Sequence, residues 1–337
     1  MKQGQVRHLE KLLQNIPAGS LTVIQNSISQ PEHILFTNQF FAKTDGKGQM
    51  ETYTVYPGIN ASYNTFLASE AIFHHIASST ILEIFYCQSG RVGWNMHGGT
   101  AIYLGAGDMT IHSADCCADS TMMFPLGYAE GISISMNLAV FSKNCPSILQ
   151  EAGIDFQKLQ TDFGSGKPLS ISSCPDLDRI FTPLYCIPLA RRKAYLQLKV
   201  QELLLYLMDF QPHQTEWTPY FSEQTELVKK IHRQLTEHLD QRFTIEELSK
   251  QYLINTSTLK EVFKAVYGLP IATYMKEYRV RESMKLLRET NATIAEIAAH
   301  VGYGTQGKFS KAFKDVTHIL PTEYRKSHSQ KRGSLDE

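Results

Sequence analysis

From Glu223 onward the chain repeats itself, and this duplication constrains the fold more than any other feature of the sequence. Ile245, Leu248 and Tyr252 share one helical face, and Ile294, Ile297 and Val301 share another 49 residues later. Leu259, Val262, Phe263 and Val266 recur as Phe309, Ala312, Phe313 and Val316, displaced by 50. Each copy opens on a capping box, Thr244-x-x-Glu247 and Thr293-x-x-Glu296, which satisfies free backbone N–H groups at a helix start. Each closes on a proline and an aromatic, Pro270 with Tyr274 and Pro321 with Tyr324. Caps, apolar period and stops agree twice. One unit therefore reads as a short capped helix, a turn, and a longer helix whose apolar stripe packs back onto the first.

That is the helix-turn-helix plan, in which the second helix offers its polar face to a DNA major groove. On the two candidate reading helices the polar faces are Thr256, Ser257, Lys260, Glu261 and Lys264, then Thr305, Gln306, Ser310, Lys311 and Lys314. Hydroxyls, an amide and lysines can contact base edges or phosphates. The segment between the copies, Pro270–Thr290, predicts a helix about 30 Å long, close to the ~34 Å between successive major grooves on one DNA face. Charge agrees with this reading. Lys+Arg and Asp+Glu are equal at 33 each, but residues 223–332 carry 19 basic and 13 acidic side chains. Residues 1–222 carry 14 basic and 18 acidic, so a basic module follows a mildly acidic body.

The segment IAEIAAHVGYGTQGKFSKAFKDVTHILPTEYRK (Ile294–Lys326) closely resembles the signature of AraC/XylS-type transcription regulators. The resemblance covers roughly residues 230–327. It implies a DNA-binding domain with two helix-turn-helix motifs joined by a long helix, and base-reading roles for Ser257, Lys260, Glu261, Gln306, Ser310 and Lys311. Two positions depart from the pattern. Leu253 stands where the second copy has Gly302, at a turn that favours positive φ. Gly307 leaves a gap in the second reading helix where the family often has a side chain. Glu261 cannot grip a phosphate and is left to accept from a cytosine amino group, pair with a neighbour, or stay neutral to binding.

The rest of the chain has a different texture. At 337 residues it is two to three times a typical domain. Residues 51–137 alternate at period two over Glu51–Tyr56, Ile59–Leu67, Ile81–Cys87, Arg91–Met96, Ala101–Leu104, Asp108–His112 and Ile132–Met136. Many short strands between Gly-rich turns predict an antiparallel sandwich or barrel. Short helices are expected at Ser147–Ala152, Asp155–Thr161 and Asp176–Cys186, and a longer one over 190–210. In the longer one Leu196, Val200, Leu203, Leu207 and Phe210 form a two-heptad stripe that suggests dimerisation. Gln211–Ser222 loses periodicity and reads as a linker. The expected fold is thus a multidomain α+β chain: a β-barrel at 1–140, a helical dimerisation segment and linker at 141–222, and an all-α double helix-turn-helix domain at 223–330.

The stretch Cys87–Cys117 resembles the cupin-like sensor barrel of the same family, through its Gly-rich turn followed by Gly107-Asp108. Cupin enzymes hold a metal through a His-x-His pair. This chain offers His74-His75, His97 and His112 without that spacing, and adjacent strand histidines point to opposite faces. His112, Cys116 and Cys117 sit within six residues, a spacing open to a soft-metal or redox site, but an ordinary loop of small apolar cysteines is the preferred reading. Glu83, Tyr86, Trp94, Met96, Tyr103 and His112 are candidate contacts for a small effector carrying a cationic or hydrogen-bonding group. No Ser/His/Asp set, phosphate loop or dinucleotide fingerprint is present, so no catalytic residue, cofactor or metal is expected. With no apolar run near ~18 residues, an amphipathic rather than signal-like N-terminus and six irregularly spaced cysteines, the expected setting is the cytoplasm, away from membranes. The sequence thus predicts a non-enzymatic transcription regulator. Its expected partners are double-stranded DNA, a small-molecule effector, a second copy of itself and RNA polymerase. A metal-dependent cupin enzyme fused to a DNA-binding domain is the alternative, and a constitutive DNA binder whose barrel only dimerises is a third option.

Overall fold

All seven stretches that alternate at period two are strands in the computed structural model. The structure describes residues 3–26, 41–74, 77–96, 98–117, 120–164, 168–211 and 220–333. His75 and His97 and most of the expected linker lie outside them, as does the side chain of His74. The chain divides into two compact units, 1–222 and 223–337.

In the first unit the strands are β1 (Ser20–Gln25), β2 (Phe41–Thr44), β3 (Lys47–Tyr56), β4 (Ile59–Leu67), β5 (Glu70–His74), β6 (Ile81–Gly90) and β7 (Val92–Met96), followed by β8 (Thr100–Leu104), β9 (Met109–Ser113), β10 (Thr121–Met123), β11 (Ala129–Asn137), β12 (Leu169–Ile171) and β13 (Tyr220–Phe221). Among the described residues they form a seven-stranded sheet, ordered β1-β3-β4-β11-β6-β9-β12, and a six-stranded sheet, ordered β13-β8-β7-β10-β5-β2. Every pairing is antiparallel except β1 with β3, where Ser20 lies opposite Lys47. Among the described residues the expected closed barrel is therefore corrected to two separate sheets.

Parity decides which face is which. Tyr53, Ile59, Ala61, Tyr63, Leu82, Ile84, Ile111, Ile132 and Ile134 lie in one apolar cluster with the helices. Their strand neighbours Asn60, Ser62, Asn64 and Ser135 are buried on the opposite side, beside a second cluster that includes Phe73, Phe85, Trp94 and Met122. The helices covering the first face are α2 (Leu138–Ser142), α3 (Ser147–Glu151), α4 (Phe156–Phe163), α5 (Pro175–Phe181) and α6 (Arg192–Asp209), while α1 (Gln3–Leu12) buries Leu9 near the N-terminus. A short 3-10 helix continues α5 over Thr182–Cys186.

The helical segment is thus part of the first unit, and its heptad stripe has another role than the one expected. Leu196, Val200, Leu203 and Leu207 are buried in the unit's own core, with Phe210 packed beside them. Side-chain contacts hold α6 in place there. Gln197 donates to the Val55 carbonyl at 3.1 Å, Arg192 pairs with Glu51, and the Arg192 guanidinium lies 4.5 Å from the centre of the Tyr63 ring. A stripe engaged with its own sheet cannot also be a free dimer face. The opposite face of α6 leaves Tyr195, Leu198 and Leu205 exposed. Tyr220-Phe221, at the end of the expected linker, is a strand paired with Thr100-Ala101.

The second unit is helical: α7 (Ser222–Glu237), α8 (Ile245–Gln251), α9 (Thr256–Tyr267), α10 (Ile271–Glu289), α11 (Ile294–His300), α12 (Gln306–Thr317) and α13 (Pro321–Gly333). None of the described helices is long and apolar enough to cross a membrane.

Candidate nucleic-acid interface and sensor cavity

Both copies of the repeat are built the same way. Thr244 Oγ1 accepts the Glu247 N–H at 3.1 Å, and Glu247 accepts the Thr244 N–H at 2.8 Å. Thr293 and Glu296 repeat this at 3.2 and 2.7 Å. The backbone N–H each carboxylate receives holds its pKa below the usual glutamate value. The turn after α8 places Leu253 at φ 52, and the turn after α11 places Gly302 at φ 81, so the first copy does carry a leucine in the left-handed region. A Cβ at Gly302 would lie 2.0 Å from the Leu239 carbonyl oxygen, so only glycine fits there, whereas Leu253 points into solvent at 93% exposure.

The reading helices start on side-chain caps. Asn255 accepts the Ser257 N–H at 2.8 Å, and Thr305 accepts the Lys308 N–H at 3.3 Å. They end in the left-handed region, at Gly268 (φ 84) and His318 (φ 64). Inward, Leu259, Val262, Phe263 and Val266 are buried, as are Phe309, Ala312 and Phe313. The closing aromatics act alike. Tyr274 meets Phe263 edge-on at 5.5 Å between ring centroids, and Tyr324 meets Phe313 at 5.6 Å. The Pro-x-x-Tyr-Arg segment is therefore a brace: Arg288 donates to the Tyr324 hydroxyl at 2.7 Å, and Arg325 donates to the Ala292 carbonyl at 2.5 Å.

Outward, Ser257, Lys260, Glu261 and Lys264 are exposed on α9, and Gln306, Lys311 and Lys314 on α12. Thr256 and Ser310 are half-buried, and Thr305 is engaged as a cap. Lys308, exposed at the flank of α12, was not singled out in the sequence because it sits off the centre of the polar stripe. A Cβ at Gly307 would meet nothing within 4 Å, so the gap there lies on an open surface.

Between the two sheets of the first unit lies a partly open cavity of about 90 Å³. Its floor is the polar face of the larger sheet and includes Asn64, Glu83, His112 and Ser133; Trp94, Phe73 and Met122 of the smaller sheet form its roof. Glu83 and His112 are cross-strand partners, as are Glu83 and Ser135. Ser135 donates to Glu83 at 2.6 Å, and His112 Nε2 lies 3.2 Å from Cys117 Sγ. Burial pushes the Glu83 carboxyl up to about 7, against the smaller lowering effect of the Ser135 bond, and raises Cys117 well above an ordinary thiol.

Of the six expected effector contacts, Glu83, Trp94 and His112 line this cavity. Tyr86 does not. It stands three residues from Glu83 and so faces the helices, stacked on Phe181 at 4.4 Å. Tyr103 follows Ile102, which pairs with Trp94, and so lies on the outer side of its sheet with its hydroxyl 3.8 Å from Met123 Sδ. Met96 belongs to the apolar cluster between the sheets without lining the cavity. Asn64, Ser133, Phe73 and Met122 were missed, since their convergence depends on cross-strand register. Among the described residues no group of three or more His, Cys, Asp or Glu side chains is placed to hold a metal ion.

Residues 248–327 match a family described as a helix-turn-helix domain. A protein of Streptomyces lividans named as an AraC-like transcription regulator is 39% identical over 84 residues, 25% of this chain and 28% of its own length. The transcriptional activator RhaR of Mannheimia succiniciproducens is 31% identical over 91 residues, 27% of this chain and 33% of its own. The C-terminal unit is an AraC-type helix-turn-helix domain. The chain spans only about a third of the length of these relatives. ToxT from Vibrio cholerae aligns over 79% of this chain and 97% of its own, at 12% identity and a TM-score of 0.31.

Proposed function

We propose that the chain is a sequence-specific DNA-binding transcription regulator of the AraC type, acting in the cytoplasm and controlled by a small effector held between the sheets of its first unit. The carrying observation is the pair of capped helices α9 and α12, each presenting an exposed polar face on the same duplicated scaffold. Lysines at both faces supply phosphate contacts, and Lys260 and Gln306 supply base-edge contacts. Effector control draws its support from the cavity, whose floor buries polar side chains that a purely structural core would leave out. The last strand of the first unit, β13, pairs with β8, which in turn pairs with the strand of Trp94, giving the cavity a physical route toward the end of that unit. A homodimer would form through the exposed Tyr195, Leu198 and Leu205 rather than through the buried stripe. RNA polymerase is the further partner that an activating role would require.

Binding-site selection with the full chain tests the reading. Lys260→Ala and Gln306→Ala should each relax base preference in a different half of the selected site, at a cost of about 1–3 kcal/mol on the preferred sequence. Lys314→Ala should weaken all sequences alike. Selected sites identical to the parent's for both Lys260→Ala and Gln306→Ala would refute base reading by these helices.

A further inference from the structure

The cavity floor carries one acid, Glu83, with the His112 imidazole as its cross-strand neighbour and no permanent cation beside it. Glu83 hydrogen-bonds only Ser135 among the described residues, and the cavity lining described above includes no lysine or arginine. The groups facing it are His112 from β9, Cys117 beyond that strand, Ser135 from β11, and Trp94 and Met122 from the opposite sheet. An ionised carboxylate in such a place is costly unless something pairs with it. The roof supplies the complement for an apolar body: the Trp94 ring, set edge-on to Phe85 at 5.1 Å, with Phe73 and Met122 beside it. Aromatic faces also attract cations, more strongly where water is excluded.

We propose that the cavity is a site for a small organic monocation, a primary ammonium on a short apolar body, with the ammonium seated on Glu83 and the body under Trp94. This rests on the effector reading above and names the class of ligand. Asn64 and Ser133 lie on the same floor and offer further oxygen acceptors for the ammonium hydrogens. A cavity of about 90 Å³ is smaller than one that takes benzene, so the body is limited to a few carbons. A buried carboxyl pushed up to about 7 is only partly ionised at neutral pH. Binding a cation fixes it as carboxylate and releases a proton, so affinity should climb as pH rises through 7 and level off above it.

The probes are n-propylammonium, 1-propanol and propanoate, matched in size and differing in charge, titrated calorimetrically into the full-length protein and its Glu83→Gln variant. Operator affinity is measured in the same samples. The expected result is that propylammonium binds at least tenfold more tightly than either other probe, and that Glu83→Gln abolishes this preference. No binding of propylammonium, equal or tighter binding of propanol or propanoate, or a preference that survives in Glu83→Gln would overturn the proposal. Should Glu83→Gln fail to fold, the ranking of the three probes on the parent protein still decides. The two readings fail separately. Propylammonium that binds without altering operator affinity upholds the ligand class and sinks effector control, whereas an operator response to propanoate keeps effector control and sinks the ligand class.

Discussion

Replacing Gly302 by alanine separates the two copies of the repeat by a single methyl group. The new Cβ would stand 2.0 Å from the Leu239 carbonyl oxygen and 3.2 Å from Arg279 Cζ, at a residue held at φ 81. An L-residue in that region costs about 1–2 kcal/mol. A backbone carbonyl cannot rotate away like a side chain, so the chain around Leu239 must shift, adding about 1–3 kcal/mol. Stiffening of the unfolded chain returns about 0.4–1 kcal/mol. The net loss is about 1–4.5 kcal/mol, enough to lower the midpoint of the C-terminal unit by the order of 10 °C. Leu253→Ala is the control: the equivalent turn, the same sign of φ, and a side chain already 93% exposed. It should shift stability by less than about 0.5 kcal/mol. Thermal unfolding together with hydrogen exchange across α11 and α12 measures both. A loss below about 1 kcal/mol for Gly302→Ala, or equal losses for the two variants, would refute the steric argument.

Two further outcomes follow from burial. Leu203→Glu places a charge in the core of the first unit and should unfold it, whereas Leu198→Glu on the exposed face of α6 should leave it folded and lower its mass from dimer to monomer in sedimentation; a folded, monomeric Leu203→Glu would restore the buried stripe as the interface. His232, stacked on Tyr267 at 4.2 Å and bonded to the Tyr274 hydroxyl at 2.8 Å, has its pKa lowered to about 4 by burial and then by Arg281. The unfolded chain therefore takes up this proton first, and stability of the C-terminal unit should fall by roughly 3 kcal/mol as pH drops from about 6.5 to about 4. Denaturant titrations of the parent and His232→Gln across that range check this, and an unchanged slope in the variant would contradict it.

The C-terminal unit was legible because its signals are local. Capping boxes, a 3.6-residue period and the Leu253/Gly302 turn are each written within a few residues, and each is found in place. The first unit was legible only in part. Its seven alternating strands are present, but β1, β2, β5, β10, β12 and β13 are short or lack alternation and are defined by the partners they find. The heptad stripe of α6 shows the same limit: spacing says that one face is apolar, and only the assembled sheet says what covers it. In the cavity, Glu83 and Tyr86 looked equivalent in sequence, yet an odd separation on one strand sends them to opposite faces. Asn64 and Ser133 meet Glu83 only through the alignment of β4, β11 and β6.

Chemical footprinting of the full-length protein on a selected operator tests the central claim, that α9 and α12 read DNA together. The helix joining the two motifs, α10, has 19 residues and so is about 28 Å long, close to the rise of one turn of duplex. Two protected major-groove segments on one face, about 10 base pairs between centres, are expected. The half facing α9 should be lost selectively in Lys260→Ala and the half facing α12 in Gln306→Ala. Protection of a single groove that responds equally to both substitutions would contradict the claim.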